Sequence, residues 1–265
     1  MESSLAANYS NLRAEVAFYL GFGRGDDYGE KVWTTQQKND LDFILRSGLR
    51  QFYFPPPVDK IVYRWSFLKP VAQLDLASGE STVNLPDDFG GIEGRVTVSG
   101  SSNSYWPITI TSEGRIREMF ARLPDTTGQP ECAAQVAVKN TTLKDGQRWQ
   151  LQVYPAADTD YTLNVAYYIL PEILSGIRPF AYGGAQHAET LLESCLAIAE
   201  QKMDDTLGVH SAKFRERLAA SIAEDQKNKP ANLGYNRDCS DGREWQWRRG
   251  YLDSQVTYND TLYTE

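Results

Sequence analysis

Histidine, cysteine, positive charge and long apolar runs are what this chain has least of. Two histidines occur in 265 residues, His187 and His210, too few for a multi-histidine metal centre. Three cysteines, Cys132, Cys195 and Cys239, are an odd number at wide spacing. They form neither a disulfide framework nor a CxxC metal signature, which fits a reducing or redox-indifferent compartment. No run approaches the roughly 18 apolar residues of a membrane span. The opening MESSLAANYS has neither a charged n-region nor an apolar h-region, so the expectation is a soluble protein without a signal peptide. Basic residues number 27 against 35 acidic ones, a net charge of −8. A dedicated nucleic-acid binder would need a basic face instead.

What is present is a globular composition rich in rings. Hydrophobic residues make up 41% and aromatics 12%, with 15 Tyr, 10 Phe and 6 Trp. That is enough for a packed core, and Tyr and Trp suit cores and interfaces alike.

The hydrophobic period switches twice along the chain. Leu12, Val16, Ala17 and Leu20 recur at helical spacing and stop at GFGRG. A second helix carries Leu41, Ile44, Leu45, Leu49 and Phe52 on one face, with Thr35 as its expected N-cap and Gly48 allowing close packing. Pro55-Pro56-Pro57 ends it in an extended exit. From residue 58 to 170 the period is two: IVYRWSFL, VAQLDL, STVNLP, GRVTVSG, YWPITIT, QVAVKN, RWQLQVYP and YTLNVAYYIL are separated by ASGES, DDFGG, GSSNS, DTTGQ and KDG. GRIREMFAR interrupts them with a helical turn. After Pro171 helices return, one starting near Gly184 and carrying Ala188, Leu191, Leu192, Cys195, Leu196, Ala199 and Met203. A break at LGV precedes another carrying Phe214, Leu218 and Ile222.

The expected fold is therefore α+β: a four-helix bundle from residues 1–57 and 171–230, an inserted antiparallel β-domain (sandwich or barrel) at 58–170, and an extended C-terminal arm at 231–265. The arm holds six aromatics but few long aliphatics, too few for its own core. Its densest cluster is Arg243, Trp245, Trp247, Arg248 and Arg249, flanked by Tyr235 and Tyr251. Trp and Arg often dominate binding energies, so these seven residues are the expected interface with a partner. Docking on the chain's own domain is the first competing reading; stacking of nucleic-acid bases on the two tryptophans is the other, weakened by four arginines against six acidic residues in the arm.

Other motifs have plain readings. Gly21, Gly23 and Gly25 follow a helix and lack GK[ST], so they form a loop and no nucleotide site. Arg24-Gly25-Asp26 is a short tripeptide of the kind chance supplies. The doublets Asp26-Asp27, Asp87-Asp88 and Asp204-Asp205 lack the alternating oxygen spacing of a calcium loop and read as solvated turns. His187 reads as a polar first-turn residue facing solvent or a neighbour, His210 as part of the entry turn of the last helix, and Cys195 as core. No nucleophile with a supporting motif appears, so no enzyme and no cofactor are expected.

The succession LDFILRSGLRQFYFPP, VYRWSFLKP, LPDDFGGIEG, LQVYPAADTDYTLNVAYY, GGAQHAETLLESCLAIAEQKMDD and ANLGYNRD resembles the head-to-tail adaptor (connector) proteins of tailed bacteriophages. The resemblance implies a structural virion protein of the neck, assembled in the host cytoplasm. It implies a ring, usually dodecameric, that joins the portal protein to tail or nozzle proteins and leaves a lumen for DNA passage. The C-terminal arm would reach the portal, with no sequence-specific DNA contact and no membrane. Two other classes remain beside it: a carbohydrate-binding or hydrolytic virion protein that stacks sugars on its rings, and a cytosolic helical scaffold.

Overall fold

Helix start and stop signals place the first elements. In the computed structural model, which describes residues 3–23, 33–57, 62–99, 107–139, 146–227, 256–258 and 261–263, five α-helices occur among the described residues. They are α1 (Tyr9–Tyr19), α2 (Thr35–Tyr53), α3 (Glu113–Arg122), α4 (Ala188–Asp204) and α5 (Val209–Lys227). Asn8 caps α1 by accepting the Asn11 N–H at 2.7 Å, and Gly21 and Gly23, at φ 74° and 76°, turn the chain away from its end. α2 is capped by Thr34, one residue before the expected Thr35. Thr34 Oγ1 accepts the Gln37 N–H, and Gln37 Oε1 accepts the Thr34 N–H at 2.9 Å. With Thr35 as cap the third helical residue would be Lys38, which has only donors and cannot return that bond.

The strands are β1 (Val71–Leu76), β2 (Thr82–Asn84), β3 (Phe89–Ile92), β4 (Thr97–Ser99), β5 (Thr109–Ile110), β6 (Thr127–Gly128), β7 (Cys132–Val138), β8 (Arg148–Tyr154), β9 (Ala156–Ala157), β10 (Tyr161–Ile169), β11 (Val256–Tyr258) and β12 (Thr261–Tyr263). β10 organises the first sheet. Its residues Tyr161–Ala166 pair antiparallel with β1, Thr162–Asn164 with β4, and Tyr167–Ile169 with β3. Tyr161, Leu163, Val165, Tyr167 and Ile169 are buried at strict alternation, as a half-buried strand requires. The second sheet runs β2-β8-β7-β5.

Three sequence expectations change here. Neither sheet closes into a barrel: each is an open array with edge strands. The pairing is not wholly antiparallel, because β5 joins β7 and β6 joins β9 in parallel. Such pairs need a long return connection, which for β5 and β7 contains α3. GRIREMFAR is more than a turn. It forms the full helix α3, with Ile116 buried and the i,i+4 ion pairs Arg117–Glu113 and Arg122–Glu118 on its surface.

The chain divides into two units, residues 1–228 and 229–265. In the first, α4 packs against α1, α2 and α5. Its contact with α2 is close because Gly48 has no side chain there: a Cβ would lie 2.6 Å from Cys195 Sγ and 2.8 Å from Cys195 Cα. Ser194 Oγ donates to the Gly48 carbonyl at 2.8 Å across the same crossing. Most of the buried apolar residues among those described form one continuous cluster, from Leu12 through Phe52, Trp65, Leu76 and Leu163 to Leu218, with Ile116 of α3 outside it. In the second unit β11 pairs antiparallel with β12, Val256 opposite Tyr263.

Candidate interaction surfaces

The seven arm residues singled out by the sequence, Tyr235, Arg243, Trp245, Trp247, Arg248, Arg249 and Tyr251, lie outside the described residues, as do Arg24-Gly25-Asp26 and Asp26-Asp27. Asp87 pairs with Arg148 at 3.2 Å, and Asp88 accepts the Tyr167 hydroxyl at 3.1 Å. Burial first, then Asp88, pushes that tyrosine up to about 12. Among the described residues no group of three or more His, Cys, Asp or Glu side chains is placed to hold a metal. Cys195 is fully buried, and desolvation pushes its thiol up to about 12. It is core, as its position on the helix implied.

Of the two settings expected for His187, solvent or a neighbour, it takes the second. It is buried at the end of a 3-10 turn, Ala185–His187, that precedes α4. Gly183 and Gly184, at φ 101° and 68°, bend the chain there, so the imidazole turns inward rather than toward solvent. It stands 5.2 Å from the Trp65 ring, 5.3 Å from Phe67 and 6.2 Å from Phe52. Trp65 itself is fully buried and donates its indole N–H to the Phe52 carbonyl at 2.8 Å. Burial lowers the His187 pKa below 6.5, opposed by the nearby Asp225 and Glu224 charges. The adjacent cleft, lined by Ala6, Phe52, Tyr182 and Leu191, is only about the size of a water molecule. It is a packing junction of α2, α4 and the two connections between helices and sheets.

Two buried carboxylates were not legible as functional groups in the sequence. Asp225, on α5, accepts the Tyr63 hydroxyl at 2.5 Å, the Ser66 hydroxyl at 2.5 Å and the Ser66 N–H at 3.1 Å. It thereby ties the last helix to the segment that enters the sheets. Glu200, on α4, accepts the N–H groups of His210 at 3.0 Å and Ser211 at 3.3 Å, supplying from another helix the cap that α5 lacks. A Cβ on Gly208 would collide with this carboxylate. His210 sits in the first turn of α5, where its Nδ1 lies 2.8 Å from Glu193 Oε2 and its ring meets Tyr19 edge-on at 5.3 Å. The connection it enters by is therefore held on several sides.

Among the described residues, exposed large apolar side chains gather in three places, with others scattered singly. A strap between β10 and α4 exposes Leu170, Ile173, Ile177, Phe180 and Tyr182, with Ile177 93% exposed. The Tyr9 N–H fastens this strap by bonding to the Pro179 carbonyl at 2.7 Å, and the Tyr182 N–H does so by bonding to the Tyr53 hydroxyl at 3.0 Å. The outer face of α2 presents Phe43, Arg46, Arg50 and, just past its end, Phe54. The α4–α5 turn presents Met203, Leu207 and Val209 beside Asp204 and Asp205. Patches of this kind mark contact surfaces more often than catalytic clefts. No helix among the described residues is long and apolar enough to cross a membrane.

The family model of the SU10 adaptor protein matches residues 7–234. No curated protein matches the chain.

Proposed function

The chain belongs to the SU10 adaptor protein family, and from that premise we propose that it is a non-enzymatic structural component of a phage particle. In this reading it forms a ring, most simply a dodecamer, in the neck between portal and tail, with a lumen through which DNA passes. The observation that carries the reading is the span of the family match: it covers nearly all of the unit of residues 1–228, the unit that holds the continuous core. The helices α1, α2, α4 and α5 act in it as a four-helix bundle (1–57 and 171–230), with 58–170 inserted as a β-domain.

Residues 231–265 then serve as an arm that docks on the portal, with Tyr235, Arg243, Trp245, Trp247, Arg248, Arg249 and Tyr251 as its contacts. The arm is short of the aliphatics needed to offset ordering entropy of roughly 1–2 kcal/mol per residue, so it gains order from a partner. Moderate contacts repeated around a ring suffice for firm attachment through effective concentration. The test is co-sedimentation with the portal protein, read together with negative-stain imaging. The full chain is expected to co-sediment as a ring on the portal. Trp245→Ala combined with Trp247→Ala is expected to weaken attachment at least about tenfold while the melting temperature stays put. Attachment unchanged by that double substitution would remove the arm from the portal contact.

A further inference from the structure

The outer face of α2 and the α4–α5 turn have complementary chemistry, and we propose that they meet between copies: the turn of one subunit seats on the α2 face of the next. The contact rests on the ring reading above and adds to it which surfaces join the subunits. On α2, Phe43, Arg46, Arg50 and Phe54 are spaced at three, four and four residues, which aligns them in one stripe about 16 Å long. Phe43 and Phe54 are 59% and 53% exposed. Neither arginine has an ion-pair partner among the described residues. Lys202 Nζ lies over one side of the Phe43 ring, 5.2 Å from its centre, and the two cations stand between two rings that are each more than half exposed. Phe and Arg are the residue types enriched in the cores of protein interfaces.

The turn is the counterpart in both sign and character. Met203, Leu207 and Val209 are each more than half exposed, and between them stand the carboxylates of Asp204 and Asp205. Its shape is fixed before any contact. Asp205 holds a left-handed conformation at φ 52° and closes α4 through its N–H to the Gln201 carbonyl, while Glu200 caps α5 from below. A prearranged knob loses little entropy on docking. On a single chain the two surfaces adjoin at Lys202, which bonds Asp40 at 2.6 Å and lies over the Phe43 ring. A duplex would satisfy the two arginines and leave both phenylalanines uncovered, whereas the acidic, apolar turn satisfies all four. Contacts that join different patches on successive copies are the kind that close rings.

The experiment is a charge exchange in the full chain, with assembly read by sedimentation and negative-stain imaging, with and without the portal protein. One variant carries Arg46→Glu and Arg50→Glu; the other carries Asp204→Lys and Asp205→Asn, asparagine being tolerated in the left-handed conformation. Each is expected to weaken association at least about tenfold, and an equimolar mixture of the two is expected to recover most of the loss. Circular dichroism checks folding, and Arg46→Gln with Arg50→Gln replaces the reversal if helix content falls. Rings that persist in both variants overturn this contact and leave the ring reading standing. Loss without recovery on mixing overturns the pairing of these two surfaces. A wild-type chain that stays monomeric in both settings overturns the ring reading and this contact together. Duplex-DNA binding that disappears with the arginines while assembly is unchanged overturns it too, assigning the stripe to nucleic acid.

Discussion

At the scale of single residues, the tightest constraint is at Gly48. Its missing side chain lets α2 and α4 approach until Cys195 occupies the space, and the clash an alanine would make is with backbone as well as sulfur. Gly48→Ala is expected to cost about 1–3 kcal/mol or more, read as a fall in the urea midpoint at unchanged slope. That role was legible in the sequence, since a glycine inside a strong apolar stripe asks for a packing reason. His187 was not. Sequence spacing placed it at a helix start but gave no sign that Phe52, Trp65 and Phe67, drawn from two other segments, would enclose it. Its lowered pKa has a sign that can be checked. The unfolded chain binds the proton more readily, so stability falls as pH drops below about 6.5. His187→Phe is expected to flatten that part of the stability–pH curve, measured by denaturant titration at several pH values. A slope unchanged by the substitution would mean that His187 is not what sets it.

At the scale of elements, α5 depends on its neighbours more than its sequence shows. Its buried face is a narrow line of Ser211, Phe214, Leu218, Ser221 and Asp225. The apolar members announced the helix, whereas its first turn is capped by Glu200, ten residues upstream of His210 in the chain. Local capping rules look a few residues back and find no such group. Glu200→Ala is expected to cost roughly 1–2 kcal/mol, and Glu200→Gln, which keeps an acceptor, less. Hydrogen exchange at the His210 and Ser211 amides separates the two: both should exchange faster in the alanine variant. α3 shows the opposite limit. Ile116, Met119 and Phe120 sit at helical spacing, but the run is only ten residues long and Ile116 alone is buried, so the pattern reads as a turn. Ion pairs along its surface add support that a hydrophobic pattern cannot register.

At the scale of the whole molecule, the two switches of hydrophobic period located the strand-rich middle and the helices on either side. The periodicity did not give the pairing, because it says which face is buried and nothing about which strand is the neighbour. Among the described residues the continuous core runs from Leu12 to Leu218. With residues 231–265 acting as the proposed arm, their removal is expected to leave the thermal unfolding transition of the rest within about 2 °C, checked by calorimetry. A larger drop would make those residues part of the stabilising core. The pairing around β10 also bears on how the protein is made. β10 is the last strand of the first unit, yet it is the one that β1, β3 and β4 all pair with. About 85 residues separate the end of β1 from the start of β10, which a ribosome adding roughly 5–20 residues per second takes about 4–17 s to deliver. On the nascent chain, then, β1, β3 and β4 stay without their common partner until β10 leaves the exit tunnel, and α1 and α2 without α4 for longer still.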